Sequence, residues 1–216
     1  MGCVKRPKFF MTITLHNAGK KFNREWIFRN LSYVFESGKT YAVTGPNGSG
    51  KSTLLQALAG SMMLSEGTCK LQSTQTVISE EEVYKQIAIA APYLELIEEM
   101  TASEFLQFHT AFKPLTSTLK NEEILYLMGL KNVTNKQIRY YSSGMKQRLK
   151  LAQAFFSDAP VLLLDEPCTN LDAAGYELYY QLIKNHGADK LVVVCSNDKN
   201  EYNFCSEILN IMDYKK

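Results

Sequence analysis

Tyr41-Ala-Val-Thr-Gly45-Pro46-Asn47-Gly48-Ser49-Gly50-Lys51-Ser52 runs from a short apolar segment into a glycine-rich turn and then into a helix-forming stretch. From Gly45 to Ser52 every fixed position of G-x-x-x-x-G-K-[ST] is met. Glycines let successive backbone N–H groups turn inward around an anion. The helix behind them, read over residues 51–59 and closed by Gly60, aims its positive end at the same point. Lys51 brings a full positive charge to β and γ phosphates, and Ser52 brings a hydroxyl for Mg²⁺. Residues Gly45 to Ser52, with Thr53, are therefore the expected nucleotide-binding set, with ATP and Mg²⁺ as the ligands.

The same logic extends outward. Residues 11–15 and 31–35 alternate as half-buried strands do. Residues 87–91 form a strand-like apolar run, and residues 161–164 and 191–195 are continuous apolar runs, typical of central parallel strands buried on both faces. Strands alternating with helical stretches predict an α/β fold. From Thr101 the pattern turns helical: Thr101-Ala-Ser-Glu104 fits a capping box, and residues 119–128 and 142–156 carry helical periodicity. Val161-Leu-Leu-Leu-Asp165-Glu166-Pro167 is a buried strand with carboxylates at its C-terminal end, the edge where ligands of such sheets bind. Asp165 is placed to hold Mg²⁺ through water, and Glu166 to polarise an attacking water.

Composition limits the alternatives. The chain has 216 residues, 45% hydrophobic and 21% charged, as in an ordinary soluble domain. A net charge of +2 gives no reason to expect a nucleic-acid partner. The basic residues Lys5, Arg6 and Lys8, and Lys215 with Lys216, read as solvated tails. Cys3, Cys69, Cys168, Cys195 and Cys205 are odd in number and include no Cys-x-x-Cys pair. That argues against a disulfide framework or zinc site and fits a reducing compartment. No apolar run approaches the ~18 residues of a membrane span. The segment after the first basic cluster is too short and too polar for a signal peptide. Met1-Gly2-Cys3 is followed by Arg6 where the myristoylation pattern needs Ser or Thr. Membrane association is thus expected through a partner protein.

Tyr141-Ser142-Ser143-Gly144-Met145-Lys146-Gln147-Arg148 resembles the signature motif of the ABC (ATP-binding cassette) ATPases, commonly Leu-Ser-Gly-Gly-Gln followed by basic residues. Thr169-Asn-Leu-Asp172 resembles that family's D-loop. The order of P-loop, signature, acidic strand, D-loop and switch is also the family's, over nearly the whole chain. The resemblance implies a P-loop NTPase core with an antiparallel β subdomain and an inserted helical subdomain, about residues 92–156, in a single ABC domain over 1–216. It implies that Phe22 stacks on adenine, with Trp26 a weaker candidate. It further implies that Ser142, Ser143 and Gly144 face the γ-phosphate held by another subunit, giving a head-to-tail homodimer with two shared nucleotides. Ser143 and Met145 replace the usual Gly and Gln. Two departures are larger. No glutamine stands at Ala91 or Pro92, where the Q-loop would have one, and Gln86 is on the wrong side of the strand. The switch histidine is replaced by Asn197, which can donate a hydrogen bond but cannot become a cation.

The catalytic set implied is Glu166, Lys51 and Asn197, with Ser52 and Asp165 for the metal. The chain adds almost nothing to the cassette core. It lacks a second cassette, as in ribosome-acting relatives, and long coiled coils, as in DNA-repair relatives. The expected function is that of the ATP-hydrolysing subunit of a transporter, of the short type seen in heme-exporter-like and multidrug-exporter-like systems. It would work in the cytoplasm, on the inner face of the membrane, bound to a separate membrane-spanning subunit. Tyr93 to Met100 follows the Q-loop position and either helps form the groove for that subunit or packs as an ordinary amphipathic segment. The alternative is a soluble regulatory ABC protein that binds ATP as a clamp with little hydrolysis.

Overall fold

The computed structural model describes residues 10–74, 76–115 and 119–215. Lys5, Arg6, Lys8, the Met1-Gly2-Cys3 segment and Lys216 lie outside them.

Strand β1 (Met11–Phe22) buries Met11, Ile13 and Leu15 on one face, as the alternation predicts. It pairs antiparallel with β2 (Glu25–Glu36). Both strands run well beyond the alternating stretches. The period breaks because the ladder slips between Leu15 and Ala18, where Asn17 takes φ +46° and its N–H is held by Ser32 Oγ at 2.9 Å. An extra residue at such a bulge flips the pattern to the other face, so a fixed period of two reads only half of each strand.

β3 (Thr40–Thr44) leads through the glycine loop into α1 (Lys51–Leu58). Next come β4 (Glu66–Ser73), β5 (Thr76–Val77), α2 (Val83–Gln86) and β6 (Ile87–Ala90). Then follow α3 (Ala102–Phe112), α4 (Asn121–Leu127) and α5 (Ser143–Phe155). The chain returns through β7 (Val161–Asp165), α6 (Ala173–Leu182), β8 (Leu191–Cys195), α7 (Lys199–Tyr202) and β9 (Glu207–Asn210). Two sheets result: an antiparallel one in the order β2-β1-β4-β5, and a parallel one in the order β6-β7-β8-β3-β9.

Two cores hold these layers. One joins the antiparallel sheet (Ile13, Leu15, Phe28, Phe35) to β3 and to Leu54, Leu55 and Leu58 of α1. The other joins α3, α4 and α5 to β6, β7 and β8 through Leu106, Ile124, Leu149, Phe155, Leu162 and Val194. Each such side chain contributes about 1.5–3 kcal/mol by leaving water. The capping box at α3 is present: Thr101 Oγ1 accepts from Glu104 N, and Thr101 N donates to Glu104 Oε2 at 2.8 Å. The helix expected over 119–128 begins at Asn121.

α3 also carries His109, whose Nε2 lies 2.9 Å from Ser157 Oγ at the end of α5. Burial first, and the Lys113 charge second, pull its pKa from 6.5 down to about 4. The unfolded chain therefore takes up this proton before the folded one does as pH falls, and stability drops across that window. The urea midpoint of wild type should fall between pH 6.5 and about 4 by more than that of His109→Gln, and the two should run parallel above it.

Candidate functional site

Hydrogen-bond register sets the site. In the parallel sheet Val43 pairs with Cys195, and Cys195 pairs with Asp165, so β3, β8 and β7 end level with one another. Three loops leave the sheet there side by side: the glycine loop after β3, the Ser196-Asn197 turn after β8 and the Glu166-Pro167 turn after β7. Ser196 N–H donates to Val43 O at 3.2 Å, and Glu166 N–H to Cys195 O at 2.9 Å, which continues the ladder one residue past each strand.

The glycine loop tolerates little else. Gly45 has φ +149°, and a Cβ there would come within 2.7 Å of Ser49 Oγ and 2.8 Å of Ile211 Cγ2. Gly50 has φ +106°, and a Cβ there would strike the Ile27 side chain. Lys51 is buried, and its Nζ donates to the carbonyls of Gly45 at 2.8 Å and Pro46 at 3.1 Å, which folds the ammonium over the loop. Asn47, Gly48, Ser49, Gly50, Lys51, Ser52 and Thr53 line a cavity of about 200 Å³ with Ile27 and Glu166.

Asp165 is buried beside Ser52 of this lining, and among the described residues its Oδ1 has no hydrogen-bond partner. A buried lone carboxylate oxygen is costly unless something pairs with it. Burial raises the Asp165 pKa, the Ser52 hydroxyl beside it lowers it, the Glu166 charge raises it and the Lys51 charge lowers it. An unpaired carboxylate oxygen next to a serine hydroxyl is a pair of hard oxygen donors, which fits Mg²⁺. Glu166 takes φ +43°, a left-handed conformation that a carboxylate residue seldom adopts. Asn197 reaches the loop from β8, its Nδ2 donating to Asn47 Oδ1 at 3.0 Å.

The Ser142-Ser143-Gly144 segment forms the N-terminus of α5, where Ser142 Oγ accepts from Met145 N at 3.3 Å. It does not line the cavity; it lies beside the loop after Glu166. A Cβ on Gly144 would sit 2.9 Å from the carbonyl of Asn170. α5 is fixed to that loop twice more: Gln147 Nε2 donates to Pro167 O at 2.7 Å, and Arg148 pairs with Asp172 at 3.1 Å. On its other side, Lys150 Nζ donates to the carbonyls of Ala91 at 3.3 Å and Pro92 at 2.9 Å, and Lys146 pairs with Glu98.

Residues 28–169 match the family described as ABC transporter. The chain belongs to that family. This ABC protein is 30% identical over 192 residues to the uncharacterized ABC transporter ATP-binding protein YybJ of Bacillus subtilis, covering 88% of this chain and 87% of that protein. It is 30% identical over 179 residues to the cytochrome c biogenesis ATP-binding export protein CcmA of Agrobacterium fabrum, covering 82% and 84%. Among solved structures it resembles the dimeric post-hydrolysis state of the ATP-binding cassette MJ0796 bound to ADP and Pi, with a TM-score of 0.78 and 25% identity over 92% of this chain and 94% of that one. The chain is an ATP-binding and ATP-hydrolysing subunit of the ABC transporter type.

Of the expected site residues of this ABC ATPase, Lys51, Ser52 and Glu166 line the cavity, Asp165 lies beside Ser52, Asn197 bonds Asn47 at the cavity's edge, and Gly45 and Pro46 stand outside the lining. Phe22 lies outside the cavity lining, about half exposed at the end of β1, with the Lys20 ammonium 5.0 Å from its ring. Trp26 is flanked by Arg29 at 4.4 Å and Lys21 at 5.3 Å. Ile27, which does line the cavity, escaped the sequence reading, although it is the apolar residue next to the tryptophan that was weighed. The lysine clamps also escaped it, because nothing in the local pattern says which carbonyls a surface lysine will find. At the Q-loop position the turn is closed by Leu94 N–H donating to Ala91 O at 3.2 Å. Tyr93, within that turn, has its pKa pushed up to about 12, first by burial and then by the Asp165 charge, while a hydrogen bond with Gln56 opposes the rise.

Proposed function

We propose that this chain forms one ABC ATPase domain over residues 1–216, with about residues 92–156 as a helical subdomain, and hydrolyses Mg²⁺·ATP in a head-to-tail homodimer docked on a membrane-spanning subunit. The observation that carries the reading is the unpaired, buried Asp165 Oδ1 beside Ser52, under a loop whose backbone and lysine suit a phosphate chain. Ser52 and Asp165 would hold the Mg²⁺, which when bound offsets the charge of the phosphate oxygens. The inward N–H groups of Gly48 to Ser52 grip the β phosphate. Lys51, now on the carbonyls of Gly45 and Pro46, swings its ammonium to the γ phosphate, a stronger acceptor. Glu166 orients the attacking water and draws its proton, and Asn197 donates a neutral hydrogen bond to the γ-phosphoryl oxygens. Preorganised donors of this kind stabilise the charge that spreads in the transition state. Phe22 would stack on the adenine.

The partner subunit contributes its own Ser142–Ser143–Gly144 segment to the γ phosphate, a role supported by the exposure of Ser142 and Ser143 at the N-terminus of α5. Among the described residues no helix is long and apolar enough to cross a membrane. The proposed place of work is the cytoplasmic face of the membrane, reached through the separate subunit. Support for the docking site comes from a cavity of about 330 Å³ lined by Pro92, Leu94, Glu95, Leu96, Glu98, Lys146 and Lys150, bordered by the exposed Ile97. Export of the kind named for CcmA is the functional parallel proposed for it.

Glu166→Gln keeps the side chain's shape and removes its charge. Its hydrolysis should drop by about 10²–10⁴-fold with ATP binding retained, and ATP should then move it to the dimer position in size-exclusion chromatography. Normal turnover would remove Glu166 from the reaction, and a monomer at saturating ATP would remove the sandwich. Leu94→Ala with Ile97→Ala should weaken co-sedimentation with membranes that hold the partner and leave ATP binding intact. A variant that melts early instead would make the segment part of the core.

A further inference from the structure

The turn that carries Asn197 leaves the parallel sheet after a last ladder bond, from Ser196 N–H to Val43 O. Asn197 itself is exposed, with its Nδ2 on Asn47 Oδ1. A neutral amide has no net charge with which to draw a phosphoryl oxygen, so its effect depends on where the turn points it. Beyond the ladder bond, support for the turn comes from α6. Tyr176, Tyr179 and Tyr180 stand at i, i+3 and i+4, on one face of that helix. All three hydroxyls donate to the segment just after Asn197: Tyr176 to Asp198 Oδ2 at 3.0 Å, Tyr179 to the carbonyl of Glu201 at 2.8 Å and Tyr180 to that of Asn200 at 2.6 Å. Of the three, Tyr176 is the one bonded to the neighbour of Asn197. Asp198 uses both carboxylate oxygens. Its Oδ1 accepts from Asn200 N at 2.9 Å and Nδ2 at 3.0 Å, which caps α7 and leaves Oδ2 for Tyr176. Asp198 N–H also donates to Ser196 Oγ at 2.9 Å, so the two residues flanking Asn197 are tied together. α6 is anchored at its own start, where Asp172 Oδ1 accepts from Gly175 N–H at 2.8 Å and pairs with Arg148 of α5.

We propose that Tyr176 is a positioning residue for hydrolysis: its hydroxyl holds the Asp198 carboxylate and, through it, aims the Asn197 amide at the γ phosphate. The inference rests on the role given to Asn197 above. A hydroxyl on a carboxylate is a charge-assisted hydrogen bond, shorter and stronger than one between neutral groups. Here it runs from the helix that follows the loop after Glu166 to the turn that carries Asn197, so it sets one side of the reaction site against the other. Without it α7 keeps its cap and Ser196 keeps its place in the ladder, and the fold survives. What is lost is the tie that fixes the start of α7, and the turn before it, to α6. A reacting group misplaced by about 1 Å can cost about 10²-fold in rate. Loss of one tie among several should cost less than that.

The test is a cycle of Tyr176→Phe, which keeps the ring and removes one oxygen, Asn197→Ala and the double variant. Single-turnover hydrolysis and ATP affinity are measured on the full chain, and amide hydrogen exchange on the same chain without nucleotide. Tyr176→Phe should lower the hydrolysis rate about 10-fold with ATP affinity close to wild type. Amides of residues 197–201 should exchange faster, and those of residues 45–52 should not change. In the Asn197→Ala background the same substitution should cost less than about twofold, because the amide it aims is gone. Asp198→Asn weakens the bond from its other end and should show the same dependence on Asn197. An equal loss in both backgrounds would make Tyr176 a packing residue and overturn the proposal. So would wild-type hydrolysis in Tyr176→Phe beside a slowed Asn197→Ala. Wild-type hydrolysis in Asn197→Ala would refute the role of Asn197 itself, and the proposal with it, a result that Tyr176→Phe alone could not give.

Discussion

The register of three parallel strands carries the rest of the structure. Because Val43, Cys195 and Asp165 stand in one row of the ladder, the glycine loop, the Asp165-Glu166 carboxylates and the Ser196-Asn197 turn emerge at the same height. A slip of one residue in β7 would turn Asp165 to the other face of the sheet and bring Leu164 to its place. The apolar runs at 161–164 and 191–194 are buried without exception, which fixes that register by packing on both faces. The polar groups at the strand ends are then held where hydrophobic burial puts them. Part of that stabilisation is offset by an unpaired Asp165 oxygen that a cation would satisfy.

A second constraint is the placement of α5. One helix face reaches the loop after Glu166 through Gln147 and Arg148, and another reaches the turn after β6 through Lys146 and Lys150. Most of these contacts are charged groups on carbonyls or carboxylates near the surface, each worth little alone in water. The Gln147 bond is buried and weighs more. Together they tie the start of α5, the loop after β7 and the segment after β6 to one another.

Much of this was legible in the sequence, and the reasons differ from element to element. The glycine loop could be read because its backbone conformation excludes side chains: Gly45 and Gly50 sit at positive φ with neighbours pressed against them. The capping box at Thr101 could be read because its partners are three residues apart. β7 and β8 could be read because burial on both faces leaves no room for polar residues. The full lengths of β1 and β2 could not, since bulges at Asn17 and Asn30 reset the alternation. Ile27 and Lys150 could not either. Their roles depend on which strand lies beside which, a relation between residues far apart in the chain that no local period records. The missing glutamine was visible as an absence.

The central claim is that the Gly45–Ser52 loop holds the phosphates of ATP, with Lys51 as its charge. The most direct measurement is ATP affinity by calorimetry for wild type and Lys51→Ala, with circular dichroism to establish that both are folded. A charge-assisted contact of about 1.5–3 kcal/mol predicts a loss of roughly 10- to 150-fold in affinity. Equal affinity in two folded proteins would contradict the account.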